Sequence, residues 1–113
     1  MQHRDQIILQ KIISEIDVGL QLMGDTKLVD FLNNEMMKRA LAMTVVNVGE
    51  LVKSTTEEIR LKYKEIPWKA IAGMRDITAH KYQTLRMEDV YYTVTVEFIE
   101  LKKQLNKILQ NEK

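Results

Sequence analysis

Apolar side chains recur along this chain at the three- and four-residue steps of a helix, not at the two-residue step of a strand. From about Arg4 to Met23 they fall at Ile8, Leu9, Ile12, Ile13, Ile16, Leu20 and Met23, a broad arc of the kind a core-facing bundle helix carries, and Gly24-Asp25-Thr26 closes the run. Lys27 to Leu32 predicts a short helical turn. Asn34 is then placed to cap a second long helix, from about Glu35 to Lys53, whose predicted buried face is Met36, Met37, Ala40, Leu41, Met43, Val48, Leu51 and Val52. Ser54-Thr55-Thr56 followed by Glu57 and Glu58 is another helix start, since carboxylates suit the positive end of a helix dipole. That segment is expected to end near Tyr63, with Lys64-Glu65-Ile66 as a linker. Pro67, the only proline, suits a first helical position because its φ is preset and its missing N–H is not needed there. The helix it opens is predicted to run through Tyr82 and to stop at Gln83-Thr84-Leu85-Arg86.

The last predicted helix spans about Met87 to Gln110, with Val90, Tyr91, Val94, Phe98, Leu101, Leu105, Ile108 and Leu109 on its core face. Its β-branched run from Val90 to Val96 would also suit a strand, but it fits the helical arc and is read as helix. Tyr92, Val96 and Ile99 lie on a different side, so this helix is apolar on more than one face and predicts a partner. The expected fold is all-α: an up-and-down four-helix bundle with one short additional helix, in a single domain over residues 1–113.

Composition narrows the function. The formal net charge is +1, which excludes a broad electrostatic footprint for nucleic acid, so any RNA contact has to come from locally placed basic groups. There is no cysteine, hence no disulfide framework and no thiolate metal site, which suits a reducing cytosol. No apolar run approaches the roughly eighteen residues of a membrane span, and Met1-Gln-His-Arg does not start a signal peptide. The expectation is a cytoplasmic protein without a membrane segment. No glycine-rich loop follows a strand, and the two histidines, His3 and His80, lie far apart, so neither a nucleotide loop nor a zinc site is expected. His3 reads as a surface residue near a fraying end, the methionines of the second helix as core filler, and Lys102, Lys103 and Lys107 as partners of a helix dipole.

What remains is the stretch Pro67 to Tyr82. At about 100° per residue one face collects Trp68, Ile71, Ala72, Ala79 and Tyr82, with Arg75 in its middle. A guanidinium cannot shed its proton, so against a core it requires an acceptor. Asn47, inside the buried face of the second helix, and Glu50, at its edge, are the candidates; the plainer alternative is an Asn bonded to backbone and a solvated Glu. Asp76 and His80 stand at the i,i+4 spacing by which a carboxylate orients an imidazole. An Arg and a His suffice to cleave RNA without metal: the imidazole moves a proton near neutral pH, the guanidinium holds the phosphate, and the RNA's 2′-hydroxyl is the nucleophile. Five residues apart, they lie about 140° apart around a helix, so one helix converges them poorly and a two-fold dimer would do it better. The competing reading is a structural Arg and a surface His.

In these residues the chain resembles the HEPN superfamily, and more closely the HepT-type toxins encoded beside minimal nucleotidyltransferases. Arg75-Asp76-Ile77-Thr78-Ala79-His80-Lys81-Tyr82 is similar to the family's Arg, polar residue, His after four intervening residues, then x-Tyr. Ile66-Pro67-Trp68 with Gly73-Met74 resembles its lead-in, and Val48-Gly49-Glu50 its "IGE" segment. The resemblance implies a dimerising helical bundle with two motif copies facing a cleft, RNase activity with Arg75 and His80 as catalytic positions, Asp76 in support and no metal or other cofactor. It also implies neutralisation by a cognate nucleotidyltransferase antitoxin that AMPylates Tyr82, whose hydroxyl is expected beside Arg75. Family members usually have Asn where this chain has Asp76, which adds a negative charge beside the phosphate site. Two alternatives stand beside it: a non-catalytic helical partner or substrate-binding subunit of a minimal nucleotidyltransferase, and an oligomerising bundle without a site.

Overall fold

Several helix boundaries in the computed structural model, which describes Met1–Lys113, have a local cause. The first helix, α1 (His3–Met23), stops at Gly24, whose φ of 51° only glycine adopts freely and whose N–H bonds to the Leu20 carbonyl at 2.9 Å. The turn expected next closes as α2 (Leu28–Leu32), which buries Phe31. Asn34 caps α3 (Glu35–Lys53) by accepting the Met37 N–H at 3.0 Å, as its position in the sequence predicts. Thr56 likewise caps α4 (Glu57–Lys62), and is itself held by Asp5, a fully buried carboxylate that accepts both the Thr56 N–H and its hydroxyl. Nothing in the periodicity of α1 marks Asp5 for burial; the partner it serves lies 51 residues away.

Trp68 opens α5 (Trp68–His80), with Pro67 one step earlier, at the N-cap. The buried indole donates to the Tyr63 carbonyl at 2.9 Å and pins the start of the helix to the preceding turn. Ile66, expected in a linker, is buried beside it. A short 3₁₀ turn (Tyr82–Thr84) follows α5. The last rod is α6 (Met87–Tyr92), a π-helical turn (Thr93–Glu97) and α7 (Phe98–Asn111) in unbroken succession. The β-branched run that suits either helix or strand therefore forms the wide turn, where the Thr95 hydroxyl bonds back to the Tyr91 carbonyl at 2.7 Å.

The four long elements pack up and down. Asp5 meets Thr56 and Asn47 meets Glu15, so α3 returns along α1. Lys53 meets Asp76 while Arg39 meets Tyr82, so α5 returns along α3. Lys102 pairs with Asp17 at 2.6 Å, setting α7 antiparallel to α1. There is no strand, and one contiguous apolar core, including Leu9, Ile12, Ile16, Leu41, Val48, Phe98 and Leu105, runs through the bundle. No helix is long and apolar enough to cross a membrane.

Three details correct the expected faces. Met36 and Met43 are 84% and 55% exposed instead of buried, because α3 packs on α1 and α5 through Leu41, Val45, Val48 and Val52 and turns those methionines outward. On α5, Thr78 rather than Ala79 faces inward. The helix ends at His80, before Tyr82.

Candidate active site

Arg75 is set by the helix it lies against. A Cβ built on Gly49 would fall 2.3 Å from the Arg75 Cβ and 3.2 Å from the Ile71 carbonyl, so the bare backbone of α3 is what lets α5 approach at that level. The side chain of Arg75 is 26% exposed, and its Nε lies 2.6 Å from Glu50 Oε2, the neighbour of that glycine. The Nε hydrogen is not directed along this contact, so the two form a close ion pair and not a well-aligned hydrogen bond. Of the two acceptors expected for Arg75, Glu50 is the one that meets it. Asn47 instead donates to Glu15 Oε1 at 2.9 Å, across the α1–α3 interface.

Asp76 does not orient His80. Its Oδ1 accepts Lys53 Nζ at 2.7 Å and Arg75 Nη1 at 3.2 Å. The Lys53 ammonium first, and Arg75 after it, hold this carboxyl below the usual carboxylate range. Periodicity placed Asp76 one turn before His80, but the Lys53 ammonium on the neighbouring helix takes the carboxylate instead. His80 instead meets Arg75 directly, with Nη1 and Nε2 3.5 Å apart. The angle around α5 argued against that convergence within one chain; the length of the arginine side chain overcomes it.

Lys53 is the residue that sequence reasoning missed. The signal was available: it lies three residues after Glu50 and four after Gly49, on the side of α3 that faces α5. The cluster thus holds two fixed cations, Arg75 and Lys53, against two carboxylates, Glu50 and Asp76. The two cations and the two carboxylates balance in formal charge. The imidazole is exposed, and Arg75 presents Nη1 beside it, so an incoming phosphate can reach both.

Tyr82 is placed elsewhere than expected. Lys81 caps α5 with its N–H on the Ile77 carbonyl at 2.9 Å and φ −129°, and the chain leaves the helical path there. The two-turn face shared with Arg75 therefore does not exist. The Tyr82 hydroxyl donates to Glu35 Oε1 at 3.4 Å, and the Arg39 guanidinium stacks over its ring, 5.1 Å from the centroid. Burial, and then the Glu35 charge, push the phenol above its ordinary value of 10.0, so it stays protonated at neutral pH. Glu35 also binds Arg39 Nε at 3.0 Å and Lys38 Nζ at 3.1 Å. No group of three or more His, Cys, Asp or Glu residues forms that could hold a metal ion.

Known proteins place this arrangement. Residues 9–108, which run from within α1 to within α7 and hold the whole Arg75–Tyr82 segment, match the family described as Ribonuclease HepT-like. A protein of Caldanaerobacter subterraneus subsp. tengcongensis named as a candidate RNase is 34% identical over 93% of this chain and 94% of its own length. Another so named, from Methanocaldococcus jannaschii, is 35% identical over 98% of this chain and 97% of its own. The "Probable ribonuclease HepT" of Thermococcus cleftensis is 26% identical over 94% of each. No solved structure matches the chain. With the family's pattern matched across nearly the whole bundle and relatives that align end to end, the chain belongs to the HepT-like ribonucleases.

Proposed function

We propose that this ribonuclease is a metal-independent endoribonuclease in which Arg75 and His80 carry out the cleavage. The observation that supports it is the 3.5 Å approach of Arg75 Nη1 to His80 Nε2 at the exposed end of α5, with Glu50 gripping the guanidinium from behind. His80 takes the proton of the RNA 2′-hydroxyl as the 2′-oxygen attacks the adjacent phosphorus. The bond from phosphorus to the 5′-oxygen breaks, that oxygen leaves with a proton, and a 2′,3′-cyclic phosphate remains. Arg75 holds the non-bridging oxygens through the charge build-up. The working form is a two-fold dimer, whose second copy brings another His80 to the cleft and supplies the proton to the leaving oxygen.

The same reading makes the chain the toxin of a toxin–antitoxin pair. A minimal nucleotidyltransferase would transfer a nucleoside monophosphate from a triphosphate to the Tyr82 oxygen, displacing pyrophosphate. The added phosphate would meet Arg39 and Lys38, which already surround Glu35 at the Tyr82 hydroxyl. Neutralisation then acts beside the catalytic pair and not on Arg75 itself.

The test is cleavage of single-stranded RNA by the purified chain in excess EDTA. The wild type cleaves. His80→Ala loses activity by about 10²- to 10⁴-fold, the range of a removed acid–base group. Arg75→Lys also fails, since an ammonium lacks the forked contact of a guanidinium. Wild-type rates in His80→Ala, or activity abolished by EDTA, would sink this mechanism, and no cleavage by the wild type would leave the non-catalytic partner as the better reading.

A further inference from the structure

Beside the Arg75–His80 pair, the groove between α3 and the end of α5 opens into a recess of about 310 Å³. Its walls are Arg39 and Tyr82, and its floor is Ala42, Met43, Val46, Thr78 and Ala79. Two floor residues, Met43 and Ala79, belong to faces that periodicity assigns to the core, yet both are exposed here. The floor is one turn of α5 beyond Arg75, about 6 Å along the helix axis from that residue to Ala79. We infer that this recess is a nucleobase subsite: one unpaired base of the RNA stacks on the Arg39–Tyr82 pair while its neighbouring phosphate lies on Arg75 and His80.

The chemistry fits a base better than a charged or aliphatic ligand. Single-stranded RNA is bound by splaying bases onto aromatic rings and guanidinium planes. Here the guanidinium carbon of Arg39 already lies over the Tyr82 ring, 5.1 Å from its centroid. Glu35 fixes the Nε edge of Arg39 at 3.0 Å, while 62% of the arginine side chain stays exposed, so the outer plane is held in orientation and left open. The volume is at the lower end of small-molecule sites, roughly 300–1,000 Å³. Beneath the pair, the floor is apolar except for the buried Thr78 and presents the base edge with few hydrogen-bond demands, so the subsite is tolerant of sequence. It also answers the near-zero net charge: stacking supplies affinity that a basic surface does not. The ligand's identity rests on the ribonuclease reading above; the recess and its stacked pair do not.

Binding tests it separately from cleavage. The full chain carrying His80→Ala, so that the strand stays intact, is titrated into fluorescently labelled twelve-nucleotide oligo(U), oligo(A) and a ribose-phosphate strand without bases. Adding Tyr82→Ala is expected to weaken binding to both base-bearing strands by about 5- to 100-fold, the range for one lost stack. Tyr82→Phe, which keeps the ring, stays within about threefold by the same argument. Met43→Glu, at an exposed position, weakens binding without threatening the fold, and the strand without bases is insensitive to residue 82. Equal binding by Tyr82→Ala, the same loss on the strand without bases, no binding by any form, or a loss explained by a change in sedimentation (a second copy seated in the recess) overturns the subsite. A chain that binds in this ring-dependent way but never cleaves keeps the subsite and sinks the ribonuclease mechanism. The opposite outcome does the reverse.

Discussion

Gly49 makes room for the side chain of Arg75: a methyl group at position 49 would sit 2.3 Å from the arginine's Cβ. Ordinary carbon contacts need about 3.5–4.0 Å, so the two helices cannot keep their spacing if α3 carries any side chain there. Gly49→Ala is therefore expected to destabilise the bundle by about 1–3 kcal/mol through overpacking and to move Arg75 away from Glu50, lowering cleavage more than it lowers RNA binding. Gly73 is the internal control. A Cβ there meets nothing within 4 Å, so Gly73→Ala should stabilise α5, by up to about 1 kcal/mol from helix propensity. Thermal melts and the split between kcat and KM check both. A Gly49→Ala protein that melts and cleaves like wild type would refute the steric account.

Asp76 is a carboxylate beside a phosphate site, and Lys53 at 2.7 Å offsets much of its charge. Asp76→Asn removes one negative charge and releases Lys53, so RNA binding should tighten several-fold and grow more salt-dependent. The carboxyl's folded value is depressed, so whatever stability it contributes is present above its ordinary 3.8 and is lost as pH falls through the lowered value. The difference in melting temperature between wild type and Asp76→Asn should therefore be steady from pH 5 to 8 and shrink as pH drops below 3.8. Weaker RNA binding by Asp76→Asn at pH 7 would show that the carboxylate assists the site directly.

Tyr92, Val96 and Ile99 leave 56%, 49% and 39% of themselves exposed along the last rod, on the side away from Val94, Phe98 and Leu101. An apolar stripe of this kind is the surface on which the proposed dimer would close. The wild type should sediment as a dimer at tens of micromolar, the order of magnitude for a specific interface. Val96→Glu should shift it to monomer with little change in helix content, since Val96 adds nothing to the core. A monomeric wild type would refute the dimer, and an unmoved Val96→Glu dimer would place its interface elsewhere.

Tyr82→Phe removes the oxygen that a nucleotidyltransferase would modify and keeps the ring under Arg39. Co-expressed with its cognate enzyme, the wild type should gain nucleotide-sized mass on the tryptic peptide that contains Tyr82, and lose toxicity. Tyr82→Phe should show no added mass and remain toxic. Arg39→Ala is informative here too: with the cations around the hydroxyl depleted, modification should still occur but silence the protein less completely. Modification and silencing of Tyr82→Phe would mean that another side chain is the switch.

Much of the bundle was legible in the chain. The 3.6-residue period, Gly24, Asn34, Thr56 and the Pro67–Trp68 start act within a turn or two of themselves, so their consequences follow from local chemistry. The need of Arg75 for an acceptor was legible for the same kind of reason, because a guanidinium on an apolar face has no neutral form to retreat to. The choice of Glu50 over Asn47, the Lys53–Asp76 pair, and the turn of Met43 toward solvent came only with packing. Each depends on the rotation of α3 against α5, and a rotation of one helix by a fraction of a turn exchanges one side-chain partner for another without changing any period in the sequence. Tyr82 shows the same limit most plainly. Periodicity carries a side chain's direction only while the helix lasts, and where α5 ends is decided by how the 3₁₀ turn at Tyr82 packs against Glu35 and Arg39, some forty residues earlier in the chain.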